Sequence, residues 1–110
     1  MNVLVVGDEL GALCESSQAL DDAFGRVRAS LVRQRLCEIA GSPSLGDSMA
    51  LPALECTLRR DGDVERVVVR VDRGLAIIVQ PYVDEMSDPP LEEAHTVLVV
   101  ALEQTESMKR

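Results

Sequence analysis

The chain has 110 residues, a mass of 11.9 kDa, a formal net charge of −8 and a sequence pI near 4.5. A chain of this length builds one domain around a single core and is too short for two. Its composition, 46% hydrophobic and 27% charged, is typical of a folded protein and argues against wholesale disorder. One Phe, one Tyr and no Trp leave a core of aliphatic side chains. We therefore expect residues 1–110 to form one small acidic domain.

Membrane and secretion signals are missing from the sequence. No apolar run reaches the roughly 18 residues that a membrane-spanning helix needs, and the apolar start lacks the basic residues of a signal peptide. We therefore expect a cytoplasmic protein with no membrane partner. Cys14, Cys37 and Cys56 match neither a disulfide framework nor a zinc knuckle, so we expect three small buried side chains.

Charge is distributed unevenly along the chain. Residues 1–25 carry five acidic side chains and no basic one, and residues 74–110 carry seven acidic and two basic ones, so each end has a net charge of −5. Between them, residues 26–73 carry nine arginines and seven acids, a net charge of +2. Acidic ends speed the encounter with a basic partner, whereas arginine suits paired contacts with carboxylate or phosphate groups.

The first half of the chain predicts a strand, a long helix and a loop. The apolar run from Asn2 to Val6, closed by Gly7, is typical of a buried strand. Apolar residues then recur at helical spacing from Leu13 to Ile39, with Ser16 or Ser17 as a candidate N-cap. Gly41 is expected to end this helix. The turn-rich residues 41–52 predict a mobile loop.

From Ala53 the apolar residues alternate with polar ones, which indicates β-strands. Asp61-Gly62 is a strong hairpin signal, and a two-residue turn there would place Cys56 opposite Val67. At the next turn, a two-residue loop would direct the following apolar residues to the outside of the sheet. A three-residue loop over 72–74 instead pairs Val69 with Ile77 and keeps one apolar inner face. We predict the three-residue loop.

The opposite, outer face of these strands combines apolar and arginine side chains. Exposed apolar surface rimmed with arginine is the composition of a protein contact. Strand propensity alone also explains valine and isoleucine there. The residues predicted to bind a partner are Val64, Val68, Ile78, Tyr82, Arg59, Arg66 and Arg70.

The last segment, residues 91–106, fits two interpretations. Thr96 to Val100 has the composition of a strand, yet the residues Ser87-Asp88-Pro89-Pro90 form a good helix start. Apolar residues of the segment also keep helical spacing. We predict a helix and keep the strand as the alternative.

Residues for chemistry are sparse. The common phosphate-loop, dinucleotide, metalloprotease and serine hydrolase motifs are missing, and we expect no cofactor. Asp84, Glu85 and Asp88 are the best candidates for a loose divalent cation site. His95 and the paired acids leave a small enzyme as a further alternative.

The order strand, long helix, three antiparallel strands, helix resembles that of the ribosome hibernation-promoting factors and ribosome-associated inhibitors. The similar segments are MNVLVVG, ALDDAFGRVRASLVRQ, the hairpins through RVDRGLAIIV, and DEM before a last helix that contains ALEQ. Basic residues of that family bind ribosomal RNA of the small subunit and block translation. The resemblance therefore implies RNA contacts by Arg26, Arg28, Arg33 and Arg35. The acidic last segment departs from the family's charge pattern.

These observations predict a single α+β domain of order β-α-β-β-β-α. The expected sheet has four mostly antiparallel strands, with two helices packed on one face. The leading functional hypothesis is a non-catalytic acidic module that docks on a basic or mixed protein surface to inhibit or escort it, as immunity proteins, antitoxins, anti-defence inhibitors and secretion chaperones do, and that forms a homodimer. The alternative is ribosome binding through the arginine-rich middle, with ribosomal RNA as the only expected nucleic acid.

Overall fold

The computed structural model describes residues 1–82 and 93–104. Five strands are present in this part of the chain: β1 (Asn2–Val5), β2 (Thr57–Asp61), β3 (Val64–Asp72), β4 (Leu75–Pro81) and β5 (Thr96–Gln104). The helices are α1 (Asp8–Glu15), α2 (Ser17–Phe24), α3 (Arg26–Gly41) and α4 (Leu45–Met49), followed by a 3₁₀ turn at Pro52–Leu54. The predicted α+β class is confirmed.

The sheet is mixed, with strand order β1-β5-β4-β3-β2. β1 pairs with β5 in parallel, while the other neighbours are antiparallel. The prediction of four strands and two helices was therefore incomplete, because the described residues form five strands and four helices. β1 and β2 are the two edges of the sheet, and β5 lies between β1 and β4.

The largest difference from the sequence prediction is β5, which occupies most of the segment expected to be a helix. Val97 and Val99 are fully buried, and Thr96, Leu98 and Val100 are only partly so. This alternation is that of a strand with one face on the core. An apolar run such as TVLVV satisfies both helical and strand spacing, and its β-branched residues favour the strand. The helix-start residues 87–90 lie outside the described residues.

The long helix predicted from Leu13 to Ile39 is divided into α2 and α3, and its first residues fall at the end of α1. Ser16 caps α2, since its hydroxyl accepts a hydrogen bond of 3.1 Å from the Ala19 N–H. Gly25 ends α2 with φ 84° and ψ 161°, a backbone conformation that is open almost only to glycine. The apolar spacing therefore predicted helical structure correctly, whereas Gly25 breaks the chain direction between two helices that pack on each other.

In both hairpins the side chains lie on the predicted faces of the sheet, but the turns differ from the predicted ones. In the first hairpin Leu58, and not Cys56, lies opposite Val67, a register shift of two residues that preserves which side chains face inward. In the second, Val69 pairs with Ile77 as predicted. A bulge in β3 between Arg70 and Asp72 achieves this alignment, since Asp72 pairs with Leu75 across a two-residue loop.

The turn-rich segment 41–52 contains regular structure. Ser44 caps α4 by accepting a hydrogen bond from the Asp47 N–H. Leu45 is 1% exposed, and its N–H donates a 2.9 Å hydrogen bond to the Ala94 carbonyl next to β5. The expected extended loop is thus a short helix anchored to the core, and the mobility of this segment stays a prediction.

One hydrophobic core lies between the sheet and the helices. Buried side chains of α2, α3 and α4 belong to the same cluster as the inward residues of β3, β4 and β5. The helices therefore cover one face of the sheet, which we call the inner face. The buried members of the core are Leu20, Ala29, Val32, Ile39, Leu45, Leu54, Val67, Val69, Val71, Leu75, Ile77, Val79, Ala94, Val97 and Val99.

In the part of the chain that the structure describes, none of the helices has the length and apolarity required to cross a membrane.

Candidate functional site

The outer face of the sheet points away from the helices. Cross-strand pairing assigns its residues, because directly opposed residues project to the same side. Thr57, Val68, Ile78 and Ala101 form one row across four strands. The flanking rows contain Arg59, Arg66, Gln80 and Leu98 on one side, and Arg70, Ala76 and Glu103 on the other.

The centre of the outer face is buried. Ile78 is 1% exposed and Ala76 is 8% exposed, although neither belongs to the core cluster under the helices. Ile78 was predicted to be an exposed contact residue, and the prediction of its exposure is wrong. The prediction failed because alternation assigns the side of the sheet on which a residue lies and does not give how far the surrounding side chains cover it.

A network of charged side chains spans the outer face. The Arg59 guanidinium donates to Asp61 Oδ2 at 3.0 Å through Nη2 and to Glu103 Oε1 at 2.8 Å through Nη1. Arg66 Nη1 donates to the same Asp61 oxygen at 3.1 Å, and Arg66 Nε donates to Gln80 Oε1 at 2.9 Å. Side chains of four adjacent strands are thereby joined, which holds this part of the surface in one arrangement.

The network also alters proton affinity. The pKa of Arg59 is raised, first by its hydrogen bond to Glu103 and then by that to Asp61. The pKa of Asp61 is lowered, chiefly by the hydrogen bond from Arg59 and further by that from Arg66. Both groups therefore stay charged over the physiological pH range, and the outer face keeps its ion pairs throughout it.

An open hollow of about 480 Å³, which we call the Tyr82 hollow, lies at one end of the outer face. Its apolar lining comes from Val64, Pro81, Tyr82 and Leu98, with Gln80 at the network side and Asp63 and Glu65 as acidic members. Val64 is 38% exposed and Tyr82 is 51% exposed. The Tyr82 N–H donates a 2.9 Å hydrogen bond to the Thr96 carbonyl, which fixes the backbone of this residue at the start of β5.

A second hollow of about 420 Å³ lies at the other end of the outer face. Val68 and Ala76 supply apolar surface there, and Arg70 and Glu55 stand at its rim with 4.0 Å between Arg70 Nε and Glu55 Oε1. The predicted contact residues are thus divided between two ends. Val64 and Tyr82 lie at the first hollow, Val68 and Arg70 at the second, and Arg59 and Arg66 in the network between them.

The four arginines implied by the ribosomal resemblance do not share one surface. In α3, Arg26 and Arg33 are seven residues apart on one side, and Arg28 and Arg35 on the opposite side. Arg28 donates to Asp72 at 2.7 Å, Arg33 lies 3.5 Å from Asp21, and Arg35 lies 3.1 Å from Glu38. Three of the four are therefore engaged with carboxylates of this chain.

The remaining candidates give no assembled chemistry in the described residues. His95 Nδ1 lies 3.1 Å from the Pro43 carbonyl oxygen. The proposed cation ligands Asp84, Glu85 and Asp88 lie outside the described residues. Within residues 1–82 and 93–104, no three His, Cys, Asp or Glu side chains are grouped as a metal site would require.

The three cysteines differ in exposure. Cys37 is exposed, against the prediction of three buried thiols, while Cys14 and Cys56 are half-buried. Burial raises the pKa of the Cys56 thiol to about 11 and also raises that of Cys14. All three are free thiols.

Sequence reasoning missed the contribution of β5 to the outer face. Leu98 and Glu103 belong to this face only because their segment is a strand, so the helix prediction removed them from it. The β-branched residues of TVLVV were the available signal, and they were outweighed by the helix-start residues upstream.

Comparisons with protein-family models, with curated proteins and with solved structures found no match to this chain.

Proposed function

We propose that this protein is a non-catalytic protein-binding module that holds a basic partner at the Tyr82 hollow of the outer face. The observation that carries the proposal is an exposed tyrosine beside an exposed valine in an apolar hollow with acidic side chains at its rim. Tyrosine combines a large apolar ring with a polar tip and is enriched in the energetically dominant positions of protein interfaces.

The charge network supports the proposal through preorganisation. Arg59, Asp61 and Arg66 are already paired within the chain, so this surface needs little side-chain ordering when a partner binds. Ordering of flexible side chains is one of the costs of association, and a surface that is ordered beforehand avoids it. The rigid network therefore favours a defined docking geometry beside the hollow.

The chemistry of the partner follows from the lining of the hollow. Val64, Tyr82 and Leu98 suit a large apolar side chain, while Asp63 and Glu65 suit a lysine or arginine next to it. The net charge of −8 adds long-range attraction to a basic protein. The partner is thus a basic protein that inserts an apolar side chain, and the module inhibits or escorts it by occupying that surface.

Affinity capture with matched variants tests this proposal. Tagged wild type, Tyr82→Asp and Val27→Asp are immobilised and exposed to a lysate of the producing cells, and bound proteins are quantified by mass spectrometry. Val27 is the control because it is 77% exposed on α3, on the side opposite to the outer face. We expect a basic protein that is retained by wild type and Val27→Asp and is lost from Tyr82→Asp.

Equal retention by all three proteins would contradict the assignment of the hollow. Far-UV circular dichroism of each variant shows that the fold is unchanged, which is expected because both side chains are exposed. Ile78→Asp is unsuitable as a probe, since Ile78 is 1% exposed and a buried carboxylate would destabilise the fold.

The ribosomal alternative stays a prediction with its own readout. Co-sedimentation with small ribosomal subunits at low salt that weakens steeply as salt rises would support RNA binding through α3. Arg26→Gln is the variant to compare, since Arg28, Arg33 and Arg35 are engaged with Asp72, Asp21 and Glu38.

A further inference from the structure

The free edge of β1 differs from the edge at the other side of the sheet. β2, the opposite edge, carries Arg59, Arg60 and Asp61, and charged side chains on an edge strand discourage pairing with another chain. β1 and the residues around it, Met1 to Gly7, carry no charged side chain. In the described residues β1 pairs with β5 alone. An edge without charge or proline is open to a further strand.

The backbone of β1 presents a defined set of hydrogen-bonding groups. The Asn2 N–H donates to the His95 carbonyl at 2.9 Å and the Val6 N–H donates to the Val99 carbonyl at 3.0 Å. Even-numbered residues of β1 therefore face β5, because alternate residues of a strand direct their backbone groups to opposite sides. The N–H and C=O groups of Val3 and Val5 point away from the sheet.

We propose that a second copy of this chain pairs with β1 in antiparallel orientation, with Leu4 on the two-fold axis. In this register Val3 of each copy lies opposite Val5 of the other, which forms four backbone hydrogen bonds. Leu4 then lies opposite Leu4 of the second copy. It is 51% exposed and shares the outer face with Leu98, its neighbour on β5. Opposed side chains at such a position have Cβ atoms roughly 5 Å apart, so the two leucines pack together.

The side chains of this edge favour this occupant and this orientation. The uncharged side chains from Met1 to Gly7 meet the same uncharged side chains in the second copy, the Met1 ammonium is held by the Ala40 and Ser42 carbonyls, and the acidic residues begin only at Asp8. Antiparallel pairing centred on Leu4 directs the two acidic α1 starts, each at Asp8, to opposite ends of the strand pair, so they do not lie beside each other. Parallel pairing would set them side by side.

The dimer presents both outer faces on the same side of one continuous sheet, since a two-fold axis perpendicular to the sheet relates the copies. A contact between strands of this length is smaller than the roughly 1,200–2,000 Å² of stable interfaces, so the association is reversible and depends on concentration. We thus assign the predicted self-association to the β1 edge, independently of whether the Tyr82 hollow binds a partner.

Sedimentation velocity of the full chain tests the proposal. We expect wild type to pass from monomer to dimer as its concentration rises to about 1 mM. Leu4→Lys places like charges on the axis and should raise the dissociation constant by about tenfold or more. Leu58→Lys is the matched control, since Leu58 is 54% exposed on the other edge strand, and it should dimerise as wild type does.

A charge-swap experiment identifies the axis. Leu4→Lys and Leu4→Glu should each be monomeric alone and should form a heterodimer when mixed, because opposite charges then face each other. A monomeric wild type over the whole concentration range would overturn the proposal. A Leu4→Lys protein that dimerises like wild type, or a mixture that stays monomeric, would overturn it as well.

Discussion

Arg59 and Glu103 are joined by two hydrogen bonds, of 2.8 and 3.3 Å, although their strands β2 and β5 are separated in the sheet by β3 and β4. Three strand spacings amount to about 14 Å, and the two residues are also displaced along the strands by two rows of the pairing pattern. Two extended side chains cannot span both displacements on a flat sheet. The sheet is therefore coiled so that its outer face is concave along this diagonal, as strand twist favours.

Removal of the Arg59 guanidinium should loosen this curvature. We expect Arg59→Gln to lower the free energy of unfolding by about 1 kcal/mol, because a partly exposed ion-pair network contributes modestly. The pKa of Asp61 should return toward its ordinary value in the same variant. Urea denaturation and NMR titration measure the two effects. Arg60→Gln, an exposed change on the same strand, is the control, and equal destabilisation by both would contradict a special role for Arg59.

The Arg28 and Asp72 pair should make stability depend on acid pH. Although burial acts to raise the pKa of Asp72, the net pKa is lowered by hydrogen bonds from the Gly74 N–H and from Arg28. A lowered pKa in the folded state stabilises the fold above the unfolded value of about 3.9, and this contribution is lost as the pH falls through the folded value.

We therefore expect Asp72→Asn to lower the free energy of unfolding by about 1 kcal/mol at pH 7. The difference between this variant and wild type should shrink as the pH falls below about 4. Chemical denaturation over this range measures both, with Asp63→Asn, an exposed turn residue, as control. A difference that grows in acid would contradict the assigned linkage.

A side chain at position 25 should destabilise the protein for a purely conformational reason. A Cβ at this position would have no heavy atom within 4 Å, yet the φ of 84° with ψ 161° is strained for other residues. Gly25→Ala should therefore cost about 1–3 kcal/mol. Gly11→Ala is the matched control, because Gly11 also has open space but lies inside α1. It should stabilise the protein by about 0.5–1 kcal/mol. Thermal unfolding with the same sign for both changes would contradict this account.

Thiol reactivity should follow exposure. At pH 8 we expect a thiol reagent to modify the exposed Cys37 first, with Cys56 slowest because burial both shields it and raises its pKa to about 11. Peptide mass spectrometry over time resolves the three sites. Modification of Cys56 ahead of Cys37 would indicate that the region around the 3₁₀ turn opens readily.

The sequence predicted the strand faces better than the strand pairing. Alternation placed Val67, Val69 and Ile77 on the inner face correctly, because burial of one face imposes a period of two whatever the turn. The turns themselves depend on long-range packing: the bulge before Asp72 compensates a two-residue loop, and alternation alone does not reveal it. The predicted register of the first hairpin was wrong by two residues, because a shift of two residues leaves the same side chains on each face and alternation fits both registers.

The candidate surface was predicted only in part. Tyr82 and Val64 were found because exposed apolar residues follow from the strand pattern. The burial of Ile78 and the participation of Glu103 could not be found, since both depend on the curvature of the sheet and on β5 being a strand. The break at Gly25 was hidden because apolar spacing continues across it.

Site-specific photocrosslinking at Tyr82 in the producing cells shows whether a basic partner docks on the outer face. A benzophenone amino acid replaces Tyr82 in one protein and Val27 in a control protein, and crosslinked products are identified by mass spectrometry. We expect a crosslink from position 82 to a basic protein and none to that protein from position 27. Crosslinks to that protein from position 27 alone, or no adduct from position 82, would contradict partner binding at the outer face.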